Sequence, residues 1–273
     1  MRAKSLAMLG EVRLTLAPLT NFDVGALASI LAAYLALRFR ALTAAGALAA
    51  FCVGTATFGA LGGWGATILL TFFITSVALS RYGRRRKRAL VDIGKSGPRD
   101  GMQVLANGGI AAACALLAAF WEPHYALGFA GAIAAANADT WGTEIGVLLG
   151  RRPRSILTLR PVSPGLSGGV TLAGTLAEFA GALVIAGAAA AAGSRTVWPI
   201  AFAGIAGALV DSLLGATLQA LRWCPQCRRY CETEPHACGA NTQTVRGLSW
   251  FGNDGVNFIA TATGAIVALA LTP

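Results

Sequence analysis

The sequence is poor in charge: only 12% of its 273 residues are Asp, Glu, Lys or Arg, whereas 55% are hydrophobic and the mean hydropathy is +0.62. This composition excludes a water-soluble globular domain and predicts a chain whose solvent is mostly lipid. The apolar runs also lack the two-residue alternation of barrel strands, which excludes a transmembrane β-barrel. Because lipid offers no hydrogen-bond partners, the backbone groups of these runs must be satisfied within helices.

Runs that are long enough to cross a hydrocarbon core of about 30 Å recur along nearly the whole chain. They lie approximately at residues 23–37, 41–62, 64–80, 103–121, 125–149, 168–192, 198–221 and 250–271. We therefore predict an all-α fold, a single polytopic membrane domain over residues 1–273 with about eight transmembrane helices. Residues 1–22 are interrupted by charged side chains and are predicted to form an interfacial amphipathic helix, with a cleavable signal peptide as the alternative.

Lys and Arg concentrate in alternate connections, at residues 38–40, 81–100, 150–170 and 222–246, and give the chain its net charge of +10. Because cytoplasmic loops retain positive charge during insertion, these connections are predicted to face the cytoplasm. We expect a prokaryotic cell-membrane protein whose active site faces the cytoplasm. The basic run at residues 84–88 lies between two spans, so its expected partner is the anionic lipid surface, and no nucleic-acid binding is predicted.

Acidic and amide side chains inside the spans are the main functional signal, because ionisable groups in lipid are costly and usually mark a site. From the nearest predicted cytoplasmic charge, Glu144, Asp254 and Asp211 lie roughly 10, 12 and 16 Å along their helices at about 1.5 Å per residue. Carboxylates that converge at one depth repel one another unless a cation lies among them, and hard oxygen ligands favour magnesium. The acids inside the spans that could hold such an ion are Asp139, Glu144, Glu178, Asp211 and Asp254. The alternative is that these acids pair with Arg or with each other as hydrogen-bonded links between helices.

Two further clusters lie near the same surface. Asp100, Gln103 and Asn107 have the spacing of one helical face there. The loop at residues 150–170, which is rich in Gly and hydroxyl side chains, opens directly into a helix, and this chemistry suits an oxyanion. No Walker-type Gly-Lys-Ser signature is present. The alternative is that these glycines only allow close helix packing.

Cysteine is scarce, and four of the six cysteines crowd into one loop at residues 223–247, whereas Cys52 and Cys114 lie within spans. The candidate ligands of a structural Zn²⁺ are four of the following five: Cys224, Cys227, Cys231, His236 and Cys238. Unligated thiols are the first alternative, and disulfides are the second, although a reducing cytoplasmic face disfavours them.

Five sequence motifs carry a resemblance to a known family. They are RDGMQVLANGG at 99–109, ADTWGTEIG at 138–146, SGGVT at 167–171, DSLLGATLQ at 211–219 and NDGVN at 253–257. Together, and in this order, they resemble the integral membrane family of plant phytyl-phosphate kinase. This family also contains an animal transmembrane protein and many prokaryotic members of unknown function. The resemblance spans about residues 95–271.

The resemblance implies a kinase that converts a phytyl or other prenyl monophosphate into the diphosphate with a nucleoside triphosphate, CTP or ATP, and Mg²⁺. Carried over onto the matched motifs, the implied catalytic residues are Arg99, Asp100, Asp139, Asp211 and Asp254. The implied Mg²⁺ ligands, which become the predicted ones, are Asp139, Glu144, Asp211 and Asp254. The implied phosphate-binding residues are Asn107, Arg160, Ser167, Gly168, Gly169, Thr171, Asn253 and Asn257. Phosphoryl transfer depends on positioning, a metal ion and positive charge, and these predicted clusters supply all three. An ion-coupled transporter and a lipid-phosphate cytidylyltransferase are the two alternatives.

Overall fold

The structure, a computed structural model, describes residues 19–84, 86–87, 97–150 and 152–272. These residues form seven helices: α1 Leu19–Arg38, α2 Ala44–Arg81, α3 Gly101–Phe120, α4 Tyr125–Leu149, α5 Leu172–Ala191, α6 Val197–Thr217 and α7 Asn253–Ala270. They also form five short strands: β1 Arg154–Ser155, β2 Gly169–Val170, β3 Leu221–Cys224, β4 Arg229–Cys231 and β5 Gln243–Arg246. β1 and β2 pair antiparallel, and the second sheet has the order β4-β3-β5.

The predicted helical membrane fold is confirmed. Five helices, α1, α2, α3, α5 and α6, are long and apolar enough to cross a membrane. The predicted number of eight crossings is not confirmed, because α4 and α7, although 25 and 18 residues long, are less apolar than these five helices. The predicted interfacial helix falls mostly on residues 1–18, outside the described part of the chain, and residues 85 and 88–96 of the predicted basic loop also lie outside it.

Helix α2 folds back on itself. Gly62 has φ 55° and ψ −141°, which are not helical values. Ala50 and Gly54, before this break, line the same groove as Leu69 and Phe73, after it. Residues 50 and 73 of an unbroken helix would be about 35 Å apart at about 1.5 Å per residue. The two halves of α2 therefore lie side by side, and the turn predicted at residues 62–63 is present.

Helix α4 is the centre of the bundle. All of its residues from Ala126 to Ala138 are buried, and small side chains let its neighbours approach closely, as in other membrane bundles. A Cβ atom on Gly131 would lie only 2.3 Å from the carbonyl oxygen of Gly264 in α7. A Cβ atom on Gly204 of α6 would lie 3.0 Å from Ala134 Cβ. Backbone-to-backbone packing of this kind sets the distances between the polar groups lower down the helices.

The connections that are rich in Lys and Arg meet at one end of the bundle, which we call the basic end. There α1, α4 and α6 finish, and α3, α5 and α7 begin. The contacts that bring the connections together are Leu42 with Arg99, Gly83 with Leu148, Gly168 with Ala216 and Gly247 with Gln219. The strands β3, β4 and β5 follow directly from α6 and form a small module, residues 221–246, that lies on this end.

Candidate active site

Asp139 of α4 and Asp211 of α6 face each other. Their carboxyl groups lie within hydrogen-bonding reach, and both side chains are half-buried among the helices near the basic end. Two facing carboxylates repel each other unless they share a proton or hold a cation. The sequence predicted that intramembrane acids from separate helices converge, and the structure brings these two together.

The register of α4 against α6 explains this pairing. Gly207 of α6 packs on Ala135 of α4, where an added Cβ would lie 2.3 Å from Ala135 Cβ. Both helices run toward the basic end. Asp139 and Asp211 each follow one of these contact residues by four positions, or about one helical turn. The close contact therefore brings the two acids to the same depth on facing sides.

A third acid, Glu178 of α5, lies in the electrostatic field of both Asp139 and Asp211. Gly142 of α4 makes room for it, because a Cβ at this position would lie 2.8 Å from Glu178 Oε1. Asp211 Oδ2 is buried, and no described residue donates a hydrogen bond to it. Three acids from three helices, with an unsatisfied carboxylate oxygen among them, form a centre of negative charge that is suited to a cation.

Arg99 provides the positive charge at this centre. Its backbone is held by hydrogen bonds, since Arg99 N–H donates to Ala41 O at 3.0 Å and Arg99 O accepts from Thr43 N–H at 3.0 Å. The guanidinium lies 6.0 Å from the centroid of the Phe72 ring. Burial lowers the pKa of Arg99 from its ordinary value, and the nearby carboxylates of Glu144 and Asp139 act in the opposite direction. An Arg side chain remains charged under such a shift.

Glu144 is positioned differently from the other predicted Mg²⁺ ligands. Its carboxylate forms an ion pair with Lys87 and accepts a hydrogen bond from the Ser80 hydroxyl. Lys87 is held in place because its Nζ also donates to Leu79 O at 2.6 Å. The alternative to a metal site was that these acids pair with Arg residues. Glu144 does pair with a basic residue, but this residue is a Lys.

The four predicted Mg²⁺ ligands are therefore only partly gathered. Asp139 and Asp211 meet, Glu144 is tied to Lys87, and Asp254 is half-buried in the first turn of α7. Asn253 is exposed at the start of the same helix, and Asn257 is half-buried one turn further on. Gly207 packs on Ala260 as well as on Ala135, so Asn257 lies close to the depth of the facing acids.

Asp100 begins α3. Its carboxylate accepts from Gln103 N–H at 2.9 Å, and the Gln103 side chain accepts from Asp100 N–H at 3.0 Å, which completes a capping box. Asn107, one turn later, donates to Gln103 O at 2.9 Å. Asp100 is thus the N-cap of α3, whereas Gln103 and Asn107 line a groove.

This groove lies between α1, both halves of α2 and α3. Its walls are mainly apolar, with Ala33, Val53 and Phe72 among them. At one end it reaches the polar side chains of Arg99, Gln103 and Asn107. Arg99 also lies in the electrostatic field of Asp139 and Glu144. The apolar groove and the acidic centre therefore meet at the guanidinium of Arg99.

The predicted phosphate loop binds a carboxylate of the protein itself, that of Glu232. Ser167 donates from its backbone N–H to Glu232 Oε1 and from its hydroxyl to Glu232 Oε2, both at 2.9 Å. Gln219 Nε2 donates to Glu232 Oε2 at 2.8 Å. Burial raises the pKa of Glu232, while its bonds to Ser167 and Gln219 and the charge of Arg246 lower it. Glu232 also lies in the field of Asp211, which connects this loop to the acidic centre.

The other residues of the predicted phosphate loop serve mainly to shape the loop. Gly168, with φ 77°, packs where an added Cβ would lie 2.4 Å from Ala216 Cβ. Gly169 pairs with Ser155 in the β1–β2 ladder, and the Thr171 hydroxyl caps α5 by accepting from Gly174 N–H at 3.0 Å. Arg160 is exposed on the same loop. Gly168 therefore packs closely, as the alternative interpretation of these glycines expected, and phosphate binding by this loop stays a prediction.

A second set of side chains gathers in the module on the basic end. The ligand atoms of Cys224, Cys227, His236 and Cys238 all lie within 4.8 Å of one another. Cys231 is buried and directed elsewhere, with its thiol donating to Thr233 O at 3.9 Å. A hydrogen bond from His236 lowers the pKa of the Cys238 thiol to about 6. Within the described residues, this is the group of His, Cys, Asp and Glu that best matches the spacing of a metal site.

Two buried or partly buried polar side chains, those of Glu232 and Asn137, were not predicted from the sequence. Glu232 lies beside Cys231 in a short loop, where no periodicity or motif marks it. Asn137 is fully buried in α4, where its Nδ2 donates to Gly181 O at 2.7 Å and its Oδ1 accepts from Thr75 Oγ1 at 3.0 Å. An amide in the middle of an Ala-rich span was the available signal for Asn137, because such groups usually link helices.

The comparisons with known proteins agree with this architecture. A family described as "Integral membrane protein DUF92" matches residues 27–265. Protein PGR of Arabidopsis thaliana is 34% identical over 262 residues, which cover 85% of this chain and 89% of that protein. An uncharacterised membrane protein of Synechocystis sp. is 30% identical over 230 residues, covering 81% and 79%. Protein VTE6, chloroplastic, of Arabidopsis thaliana is 26% identical over 237 residues, covering 84% of this chain and 65% of that protein. No solved structure matches.

Proposed function

We propose that this chain, which belongs to the DUF92 family of integral membrane proteins, is a kinase that phosphorylates a prenyl monophosphate within the membrane. The observation that carries the proposal is the meeting of the facing acids Asp139 and Asp211 with Arg99 at the end of an apolar groove. The resemblance of five motifs to the plant phytyl-phosphate kinase family supports the same activity. By the positive-charge rule, the basic end faces the cytoplasm, where nucleotides are available.

The groove between α1, α2 and α3 suits the prenyl chain. Its lining is mainly apolar and includes a few polar side chains, which is typical of small-molecule sites. An apolar chain lying along Val53 and Phe72 would carry its phosphate toward Arg99, whose guanidinium can bind two phosphate oxygens at once. Gln103 and Asn107, at the same end, would add neutral donors. The substrate class is therefore an amphiphile with one phosphate head group.

Magnesium fits the acidic centre. Asp211 Oδ2 accepts no hydrogen bond from the described residues, and carboxylate oxygens are the ligands that this ion prefers. Asp139 and Asp211 would hold the ion, with Asp254 as the further predicted ligand. The ion would neutralise charge on the nucleotide phosphates. Glu144, tied to Lys87, would keep the base of α2 next to this centre.

The reaction needs little beyond positioning. An oxygen of the prenyl monophosphate attacks the γ-phosphorus of the nucleoside triphosphate. The bond from that phosphorus to the β,γ-bridging oxygen breaks, and the nucleoside diphosphate leaves with the bonding electrons. The attacking phosphate oxygen is already an anion at neutral pH, so no strong general base is required. Arg99 would stabilise charge on the transferring group. The Ser167 donors, which hold Glu232, would be available to a phosphate once that carboxylate moves away.

The test is to incubate the purified protein in detergent with prenyl monophosphates of several chain lengths, Mg²⁺ and either CTP or ATP, and to identify the products by mass. We expect a prenyl diphosphate. Asp139→Asn and Asp211→Asn should each lower turnover by about 10²–10³-fold, the usual effect of removing a group that stabilises transition-state charge. Glu122→Gln, an exposed acid at the opposite end of the bundle, is the matched control and should retain turnover.

Three results would contradict the proposal. Full turnover in both Asp variants would show that the facing acids are not the site. A product that carries CMP, with release of pyrophosphate, would identify a cytidylyltransferase. Ion-driven uptake of a solute into proteoliposomes, without any nucleotide-dependent product, would identify a transporter.

A further inference from the structure

We propose that Cys224, Cys227, His236 and Cys238 bind one structural zinc ion that holds the module of residues 221–246 on the basic end of the bundle. The sequence left the choice open among five ligands, and the geometry selects four. Their ligand atoms all lie within 4.8 Å of one another. Cys231 is excluded, because its thiol is directed toward Thr233 O.

The distances suit tetrahedral zinc. Zn–S bonds of about 2.3 Å and Zn–N bonds of about 2.0–2.1 Å imply ligand-to-ligand distances of roughly 3.5–3.8 Å. Cys224 Sγ lies 3.6 Å from Cys238 Sγ, which is within this range. His236 Nδ1 lies 3.1 Å from Cys238 Sγ, so binding of the ion would move these two ligands apart by about 0.4 Å. Cys227 N–H donates to Cys224 Sγ at 3.4 Å. An N–H directed at a ligand sulfur is the kind of surrounding hydrogen bond that orients metal ligands.

The arrangement favours a metal over a disulfide. All four thiols of the module are free, and the Cys224 and Cys238 sulfurs lie well beyond the bond length of about 2.05 Å. Three sulfurs and one imidazole nitrogen lie close together. A metal ion would bind all four of these atoms, whereas a disulfide would use only two of the sulfurs. Four protein ligands also leave no open position, which is typical of a structural zinc site and not of a catalytic one.

The ion would supply stability that the module cannot obtain by burial. The module contains three strands of three or four residues, and a segment this short cannot form a sufficient hydrophobic core. Its contacts with the bundle include the Glu232 bonds to Ser167 and a bond from Arg246 Nη2 to Gly215 O at 3.0 Å. Zinc would thus keep β4, and with it Glu232, in place on the loop before α5.

The experiment measures metal content in the full-length protein purified in detergent without added metal. We expect about one zinc per chain by elemental mass spectrometry, since the site has four ligands. Cys227→Ser and Cys238→Ser should lose most of this zinc. Cys231→Ser, which changes a neighbouring buried thiol outside the cluster, and Cys52→Ser, in α2, should retain it.

A second measurement uses the unaltered chain, so that misfolding of a variant does not decide the result. Exchange of zinc for Co²⁺ should produce the intense visible bands of a tetrahedral thiolate site. Arg228 and Arg229 are exposed but held in the fold at the start of β4. Removal of the metal by a chelator should loosen this segment and allow trypsin to cleave there, and added Zn²⁺ should reverse this effect. The proposal is overturned if the wild-type chain holds no stoichiometric zinc, if the Co²⁺ spectrum is octahedral, or if Cys231→Ser loses as much metal as Cys227→Ser.

Discussion

Gly207→Ala tests whether close packing of α6 on α4 sets the spacing of the facing acids. The added Cβ would lie 2.3 Å from Ala135 Cβ and 2.8 Å from Ala260 O. Carbon atoms prefer about 3.5–4.0 Å, so the shortfall toward Ala135 is roughly 1.2–1.7 Å. Neither neighbour has a flexible side chain that can turn away, and therefore the helices must separate.

The expected loss of stability follows from two opposing effects. Overpacking in a filled core costs about 1–3 kcal/mol, and replacing Gly by Ala within a helix returns about 0.5–1 kcal/mol. We expect a net destabilisation of up to about 2.5 kcal/mol from these two effects. Gly187→Ala in α5 is the matched control, because nothing lies within 4 Å of its added Cβ, and it should be neutral or slightly stabilising.

The same change should reduce the proposed activity. Asp139 and Asp211 lie one turn beyond the contact, so a displacement of about 1 Å there would misplace them and reduce turnover by about 10²-fold. Thermal unfolding in detergent measures the first effect, and product formation by mass measures the second. If Gly207→Ala matches Gly187→Ala in both assays, the packing contact does not set the site. A stable but inactive variant would support the positional argument most directly.

Two further predictions concern the charged groups around the site. Lys87→Met removes the ion-pair partner of Glu144 and should destabilise the protein by roughly 1–3 kcal/mol, a value reduced because both side chains retain some exposure. In thermal unfolding, the double variant Lys87→Met/Glu144→Gln should lose less stability than Lys87→Met alone. A Lys87→Met variant as stable as the wild type would contradict the argument. Because burial raises the pKa of Glu232 above its ordinary value of 4.5, the folded protein retains this proton longer than the unfolded chain. Wild-type stability should therefore fall relative to Glu232→Gln as the pH rises from 4.5 through the raised pKa, and a wild-type stability that rises relative to Glu232→Gln over this range would refute the assignment.

Much of the fold is readable from local sequence. The length of each apolar run and the need to satisfy every backbone group in lipid predict helices without any knowledge of their neighbours. The break at Gly62 and the common end of the basic connections follow from the same one-dimensional information. Counting residues from the charged ends also placed Asp211 and Glu144 at similar depth, because helical rise is nearly constant.

The tertiary structure decided which of these groups meet. Depth along a helix says nothing about rotation around its axis, so the sequence could not distinguish Asp139, which faces Asp211, from Glu144, which binds Lys87. Ligand spacing allowed any four of five side chains, and only the course of β3 and β4 directs Cys231 away from the others. Glu232 reaches Ser167 across 65 positions, and contacts between distant segments leave no periodic signal in the chain. Sequence determines which residues enter the membrane and how deep, whereas packing of the helices and of the module determines which side chains face one another.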